Sequence, residues 1–203
     1  MTETTSARPI VAGKIGATLL CCYLLAVALR IGGCYRAEAG VRDDRPDTGP
    51  RVGEPFPSFT LPDLSGTRIA LGDFAGRPAV LLFVPSLDGS APTKARVLDL
   101  ADAIGSRRDL TLAVILTSGA ATPRSLRFAR EHTIPAYFLV DAGGVTEQLG
   151  IAVPGPENAP VALPATFVLD AAGRVLLRDV RRDPRVWLDP DVILAAVGLS
   201  PHP

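Results

Sequence analysis

The hydrophobic pattern between Gly53 and Leu199 predicts strands and helices in alternation. Continuous apolar runs at 79–84 (AVLLFV) and 110–116 (LTLAVIL) are typical of strands buried on both faces. Apolar positions at helical spacing predict a helix over Thr93–Ile104, which Gly105 ends. Further strands are predicted at Ser58–Leu61, Thr67–Leu71, Ala136–Val140, Ala165–Leu169 and Val175–Val180, and further helices at Pro123–Glu131, Val145–Leu149 and Val192–Val197. This order predicts one three-layer α/β domain with a mixed sheet.

The N-terminal part of the chain has a different pattern. Residues 15–29 (IGATLLCCYLLAVAL) are apolar and uncharged, and as a helix they cover roughly 22 Å of the ~30 Å hydrocarbon core. Ile10, Val11 and Ile31 extend this stretch, and the flanking Lys14 and Arg30 can snorkel. We therefore expect an N-terminal membrane helix, with the membrane as a partner through residues 10–34.

Three fates of this segment stay open. It is an uncleaved anchor, a signal peptide cleaved after Ala37–Ala39, or a lipoprotein signal lipidated at Cys34, because residues 31–34 (IGGC) resemble a bacterial lipobox. More Lys and Arg residues follow the apolar segment than precede it, which by the positive-inside rule favours a cytoplasmic domain. The resemblance of the N-terminus to a signal sequence favours export instead. We expect the domain on the extracytoplasmic, periplasmic side of a bacterial inner membrane.

The predicted organisation has four parts. Residues 1–34 are the anchor or signal segment, and residues 35–52, which are charged and rich in Gly and Pro, are a linker. Residues 53–199 are the α/β domain, and residues 200–203 are a tail.

Composition excludes several classes of site. The 21 basic residues balance 21 acidic ones, so we expect no nucleic-acid partner. All three cysteines lie in the first 34 residues, at Cys21, Cys22 and Cys34. The domain therefore has no disulfide framework, cysteine-ligated metal or cysteine nucleophile of its own. His132 is the single histidine of the domain and no ligand cluster surrounds it, so we expect no metal and no cofactor.

Two stretches of the domain resemble a known family. Residues 52–84 (VGEPFPSFTLPDLSGTRIALGDFAGRPAVLLFV) are similar to the entry hairpin and first core strand of the thioredoxin-like redoxins, and residues 163–178 (LPATFVLDAAGRVLLR) to their proline-containing strand and hairpin. The resemblance is to the alkyl hydroperoxide reductase/thiol-specific antioxidant family and to the TlpA-like thiol–disulfide oxidoreductases. It implies a thioredoxin-like fold and thiol oxidoreductase or antioxidant activity.

The residues that would carry this chemistry are replaced. In these families a thiolate lies in the loop after the first core strand, where the next helix N-terminus lowers its pKa. In a TlpA-like CxxC register the cysteine positions fall on Asp88 and Ala91. In the peroxiredoxin register (Pro-x3-Thr-x2-Cys) Pro85 matches, but the threonine position is Gly89 and the cysteine position is Pro92. The resemblance also places the peroxidase arginine near Pro164. We therefore predict a degenerate active site with no catalytic residue.

Two functions are compatible with this pattern. The first is a membrane-anchored, non-catalytic binding or accessory module with a protein or peptide partner. Its predicted binding residues are Pro85, Ser86, Asp88, Gly89, Ser90, Thr93, Leu163 and Pro164. The alternative is the oxidoreductase or antioxidant activity that the resemblance implies, with Cys34 as a tethered thiol at the end of a linker whose reach is roughly 23 Å.

Five further expectations concern individual features. A serine nucleophile with His132 and Asp88 has no supporting spacing, so Asp88, Ser90 and Thr93 are interpreted as turn and cap residues. The resemblance implies that Pro164 follows a cis bond and lies beside the loop 85–92. Arg124, Arg127 and Arg130 form a solvated face, or a contact for anionic lipid or an acidic partner. Residues 153–164 form a long Pro-rich loop, which is either a simple connection or a binding loop beside the site. Trp187 packs under the last helix.

Overall fold

The central sheet is built from the predicted apolar runs. The computed structural model describes residues 46–88, 91–105, 107–118, 120–142, 144–154, 160–183 and 185–199. In chain order its elements are β1 (Thr60–Pro62), β2 (Arg68–Ala70), a 3-10 turn (Leu71–Phe74), β3 (Ala79–Val84), α1 (Ala91–Ile104), β4 (Thr111–Leu116), α2 (Pro123–Glu131), β5 (Tyr137–Val140), α3 (Gly144–Gln148), β6 (Ala152–Pro154), β7 (Pro160–Ala162), β8 (Ala165–Leu169), β9 (Val175–Val180) and α4 (Pro190–Ala196).

The sheet is mixed, as the element order predicts. Its five strands lie in the order β5-β4-β3-β8-β9. β3 runs parallel to β4, β4 parallel to β5, and β8 antiparallel to both β3 and β9. Every residue of β3, β4 and β8 is buried. This continuous burial explains why the three strands appear in the sequence as unbroken apolar runs.

The two faces of the sheet carry separate halves of the core. One half packs β3 residues such as Leu82 against α1, α2 and α4, through Leu100, Phe128 and Leu194. The other half packs β3 residues such as Phe83 against the N-terminal hairpin and α3, through a set of residues that includes Phe56, Phe74 and Val145. The sheet is thus the middle one of three layers, which is the α/β thioredoxin-like arrangement.

The helix ends follow the local sequence signals. Thr122 is the N-cap of α2 and accepts a hydrogen bond from the Ser125 N–H at 3.0 Å, with Pro123 at the first helical position. Asp189 caps α4 in the same way, accepting from the Asp191 N–H at 2.9 Å. Trp187 is partly buried against the α1/α4 half of the core, which confirms its predicted packing role.

Two local predictions need correction. The Pro-rich stretch 153–164 contains a short antiparallel hairpin, in which β6 pairs with β7 from Ala152–Ala162 to Pro154–Pro160. Each strand of this hairpin has only three residues, which is too few to give a recognisable alternation of apolar and polar positions in the sequence. The helix predicted at 145–149 begins one residue earlier, at Gly144, and ends at Gln148.

Several predictions lie outside the described residues. These are the membrane segment 10–34, Cys34, most of the linker and the tail 200–203. Within the described ranges, no helix combines the length and the apolar character needed to cross a membrane.

Candidate functional site

The loop that follows β3 begins at the carboxyl end of the parallel strands. Leu87 anchors it, because this side chain is fully buried in the α1/α4 half of the core. On the neighbouring strand the Thr117 N–H donates to the Val84 carbonyl at 3.0 Å, so β4 continues beside the start of the loop. The loop therefore leaves the sheet from a rigid edge, which is where open α/β sheets present binding groups.

Asp88 links this loop to the start of α2. Its backbone N–H donates to Ser86 Oγ at 3.0 Å, which closes a small turn. One of its carboxylate oxygens accepts a hydrogen bond from the Thr122 hydroxyl, the N-cap of α2. The predicted turn role fits this geometry.

The structure does not assemble the hypothetical serine–histidine–aspartate set. His132 lies at the carboxyl end of α2, exposed, with its ring 4.7 Å from the Phe128 ring. Across the described part of the chain it donates to neither Ser86 nor Asp88. A hydroxyl without an adjacent base is a weak nucleophile, so this arrangement supplies no acyl-transfer chemistry.

The three positions that correspond to cysteine in the two registers lie close together. Ala91 and Pro92 are exposed in the first turn of α1, and Asp88 is half-buried just before it. Thr93, in the same turn, is buried, with 2% of its surface exposed. Gly89 and Ser90 fall outside the described residues. The first turn of α1 thus presents small apolar side chains to solvent where the related families carry a thiolate.

Leu163 and Pro164 lie beside this loop, but the predicted cis bond is wrong. Ala165 pairs with Phe83, so the two preceding residues lie next to the end of β3. No peptide bond of the described residues is cis, and the Leu163–Pro164 bond is trans. The backbone explains this: the Leu163 N–H donates to the Ile151 carbonyl at 2.8 Å and the Pro164 carbonyl accepts from the Arg181 N–H at 3.0 Å. The extended chain satisfies both groups in trans, the isomer that X–Pro bonds favour.

A hollow opens between α1 and α2 next to Asp88. Its volume is about 460 Å³. It is lined by three cationic side chains, two carboxylates, two apolar side chains and an imidazole: Lys94, Arg124, Arg127, Asp88, Glu131, Leu98, Phe128 and His132. The Lys94 ammonium lies 5.9 Å from the centre of the Phe128 ring. The hollow thus combines a concave shape, charged groups and two apolar side chains, so it can select a ligand by charge and by apolar contact.

The sequence analysis missed a buried polar cluster under α1. Arg96 is 4% exposed, and its guanidinium lies 5.8 Å from the Trp187 ring. Burial lowers the pKa of Arg96, and the nearby carboxylates of Asp99, Asp179 and Asp189 oppose that shift. Arg96 lies four residues before Leu100 and therefore on the same, apolar face of the helix. An arginine at such a position was the sequence signal that could have predicted this buried cluster.

Metal chemistry has no support in the described residues. They contain no group of three or more His, Cys, Asp or Glu side chains placed to hold a metal ion. The expectation of no metal and no cofactor stays a prediction.

Comparison with known proteins decides the family. Residues 52–178, more than half of the chain, match the AhpC/TSA family. The chain belongs to the AhpC/TSA family. Among its sequence relatives are the chloroplastic peroxiredoxin Q of Triticum aestivum, 31% identical over 122 residues, and that of Populus jackii, 30% identical over 128 residues. These alignments cover 59% and 62% of this chain and 54% and 58% of the relatives, so the chain spans a little over half the length of each.

Solved structures support the AhpC/TSA fold. The thiol peroxidase from Chromobacterium violaceum superposes with a TM-score of 0.64 at 24% identity, over 74% of this chain and 87% of that one. Peroxidoxin BcpB from Mycobacterium tuberculosis gives 0.60 at 24% identity, over 73% and 97%. At this identity the likeness establishes the fold. This AhpC/TSA chain thus has peroxiredoxins among its sequence relatives and shares the fold of these structures.

Proposed function

We propose that this peroxiredoxin-like domain works as a non-catalytic binding module. One observation carries the proposal: the exposed first turn of α1 holds Ala91 and Pro92, and residues 35–203 contain no cysteine. Reduction of a peroxide by this fold requires a thiolate that attacks the O–O bond and becomes a sulfenic acid. The domain by itself cannot perform that step.

The same elements that would hold a peroxide site are available for recognition. The loop 85–88 is held by Leu87 and by the contact between Asp88 and Thr122, and Leu163–Pro164 lies beside it. A rigid loop with exposed neighbours binds a partner with little loss of conformational entropy. The partner class that we propose is a protein or peptide, which would contact Pro85, Ser86, Asp88, Gly89, Ser90 and Leu163. Two of the predicted binding residues, Thr93 and Pro164, are buried and so do not belong to the contact surface.

Site-specific photocrosslinking tests the binding function. A photoreactive amino acid at Pro92 in the full-length chain should give a discrete adduct in native membranes. The matched control is the same group at Arg108, which is exposed just before β4 and therefore at the opposite edge of the sheet. Equal adducts at both positions, or none at either, would contradict recognition at this loop.

A second candidate is thiol peroxidase activity, and the comparisons favour it over the binding module. The relatives are named peroxiredoxins and a thiol peroxidase. The chain has thiols only at Cys21, Cys22 and Cys34, so in this case the tethered Cys34 would supply the thiolate. Dimedone labelling after peroxide treatment tests it: stoichiometric labelling of Cys34 supports the peroxidase, and labelling at the rate of a free thiol excludes it.

We further propose that residues 10–34 attach the domain to the periplasmic side of a bacterial inner membrane. The support is the uncharged apolar stretch 15–29. Fractionation of the full-length chain against one that starts at Gly40 tests the attachment. Recovery of the shorter chain in the membrane pellet would contradict it, and unchanged lipid labelling of Cys34→Ser would remove the lipoprotein fate.

A further inference from the structure

The three arginines of α2 do not form a single stripe. Arg124 and Arg127 line the hollow between α1 and α2, opposite Lys94. Arg130 lines a different hollow, together with Asp63 and Ser65 of the N-terminal hairpin. Arg124, Arg127 and Lys94 therefore share one concave surface that excludes Arg130. A concave surface suits a chain segment better than it suits a planar bilayer.

The cations of this hollow are not neutralised by ion pairs. Elsewhere in the domain Arg178, Arg181 and Arg185 each hold an aspartate at 2.8–2.9 Å. Lys94, Arg124 and Arg127 have no carboxylate within ion-pair distance among the described residues. Their charge is available to a bound anion, and the N-terminal end of α2 adds a positive dipole beside Arg124.

Two carboxylates also line the hollow, and their positions define where an anion fits. Asp88 already accepts from the Thr122 hydroxyl, and Glu131 lies at the far, carboxyl end of α2 beside His132. These carboxylates lie near opposite ends of α2, and the three cations between them outnumber them, so an anion fits against Lys94, Arg124 and Arg127. Leu98 and Phe128 supply apolar surface next to it.

We propose that this hollow binds an extended segment of a partner protein in which acidic residues flank an apolar one. The acidic side chains face Lys94, Arg124 and Arg127, and the apolar side chain packs against Leu98 and Phe128. This inference rests on the proposed binding function and names the chemistry of its partner. Because Asp88 belongs both to the hollow and to the loop after β3, one peptide can contact both.

Selection from a randomised peptide display library on the full-length chain tests the proposal. The selected peptides should be enriched in Asp and Glu next to Leu, Ile or Phe, and their dissociation constants should rise with salt. For a resynthesised peptide, Arg124→Glu/Arg127→Glu should weaken binding by about tenfold or more, because each exposed pair contributes up to about fivefold and reversal adds repulsion.

The controls separate a local effect from a general one. Arg108→Glu/Arg182→Glu reverses two exposed arginines outside the hollow and should leave the affinity within about twofold. Arg124→Gln/Arg127→Gln removes charge without adding repulsion, and circular dichroism checks that every variant folds.

Three outcomes would overturn the inference. They are selected peptides without acidic enrichment, equal loss of affinity in the control variant, and no selected peptide at all. Binding to phosphatidylglycerol vesicles that the same Arg124 and Arg127 variants abolish, without acidic peptides, would assign the surface to lipid. These experiments measure peptide and lipid binding, whereas the non-catalytic function is tested by peroxide turnover. Failure of this inference is therefore distinguishable from failure of the proposed function.

Discussion

At the scale of single residues, Arg96 carries a buried charge with unsatisfied donors. Its Nε and Nη2 atoms are buried without a hydrogen-bond partner in the described part of the protein, and so is Trp187 Nε1. An unsatisfied buried donor costs about 1–3 kcal/mol, and a buried charge costs more. We expect Arg96→Met, which keeps an unbranched apolar stem but removes the charged guanidinium, to leave the free energy of unfolding unchanged or to raise it by about 1 kcal/mol.

Chemical denaturation measures this effect, with Leu100→Ala on the same helix as the comparison. Leu100 is fully buried, so its truncation should lower the free energy of unfolding by about 2–5 kcal/mol. A loss above about 2 kcal/mol in Arg96→Met would mean that the Arg96 charge stabilises the fold through Asp179 and Asp189.

Thr122 combines two roles in one hydroxyl group. It accepts from the Ser125 N–H as the N-cap of α2 and donates to Asp88 in the loop after β3. Thr122→Ala should therefore lower the free energy of unfolding by about 1–2 kcal/mol, whereas Thr122→Ser retains the hydroxyl and should lose less than half of that. Equal losses in thermal denaturation would show that the Thr122 methyl group, not its hydroxyl, stabilises this junction.

Of these residue contacts, the sequence predicts only the local ones. The cap of α2 was readable because Thr122 precedes Pro123 and a helical pattern. The Asp88–Thr122 contact joins residues 34 positions apart, and no local pattern encodes it. It exists because β3 and β4 are parallel neighbours, so the segments after them emerge at the same edge of the sheet.

At the scale of elements, the turn between β1 and β2 depends on one carboxylate. Asp63 Oδ1 accepts from the Ser65 N–H at 2.8 Å, the Ser65 hydroxyl at 2.6 Å and the Thr67 N–H at 2.9 Å. The Ser65 hydroxyl, helped by these backbone groups, lowers the pKa of Asp63 below its ordinary value of 3.8. A lowered folded-state pKa contributes stability above the unfolded-state pKa, and that stability disappears as pH falls through the folded-state value.

The pH dependence of unfolding checks this turn. Asp63→Asn should lose up to about 1 kcal/mol at pH 7 and should weaken the decline in stability below about pH 4. The control is Asp109→Asn, an exposed aspartate outside the turn, which should follow the wild-type curve. Parallel wild-type and Asp63→Asn curves over the acidic range would contradict the role of the carboxylate.

The start of α1 retains the electrostatic environment that activates a thiol. In a chain with Cys21, Cys22 and Cys34 changed to Ser, Pro92→Cys places a thiol in the first turn of this 14-residue helix. The helix dipole should lower the pKa of that thiol below about 8.5. Asp102→Cys, in the last turn of the same helix, should have a higher pKa.

The pH dependence of iodoacetamide alkylation measures both thiols. Equal pKa values for Pro92→Cys and Asp102→Cys would contradict the claim that Pro92 occupies the activating position of the fold.

Elements with long periodic runs could be predicted from their own pattern, whereas the short β6–β7 hairpin could not. β3, β4 and α1 have enough buried residues for a clear pattern. The hairpin of β6 and β7 has three residues on each side and lies in a Pro-rich stretch, where proline normally argues against a strand. The trans bond before Pro164 also follows from this hairpin, since the Leu163 N–H is fixed by the Ile151 carbonyl.

At the scale of the whole molecule, the sequence predicts the layers but not the strand order. The alternation of strands and helices indicates a mixed sheet between two layers. The antiparallel pairing of β3 with β8 joins segments about 80 residues apart, and it depends on which buried strands fit together. The family resemblance of residues 52–84 and 163–178 identifies both segments, but the sequence alone did not predict that they pair.

This AhpC/TSA chain has kept the family's fold, and we propose that its domain has lost thiol chemistry. Steady-state consumption of hydrogen peroxide and cumene hydroperoxide by the full-length chain, with dithiothreitol as the electron donor, tests it most directly. We predict a rate equal to that of dithiothreitol alone, for the wild type and for Cys34→Ser. Protein-dependent turnover, above all turnover that Cys34→Ser abolishes, would contradict the claim and assign the chain to the thiol peroxidases.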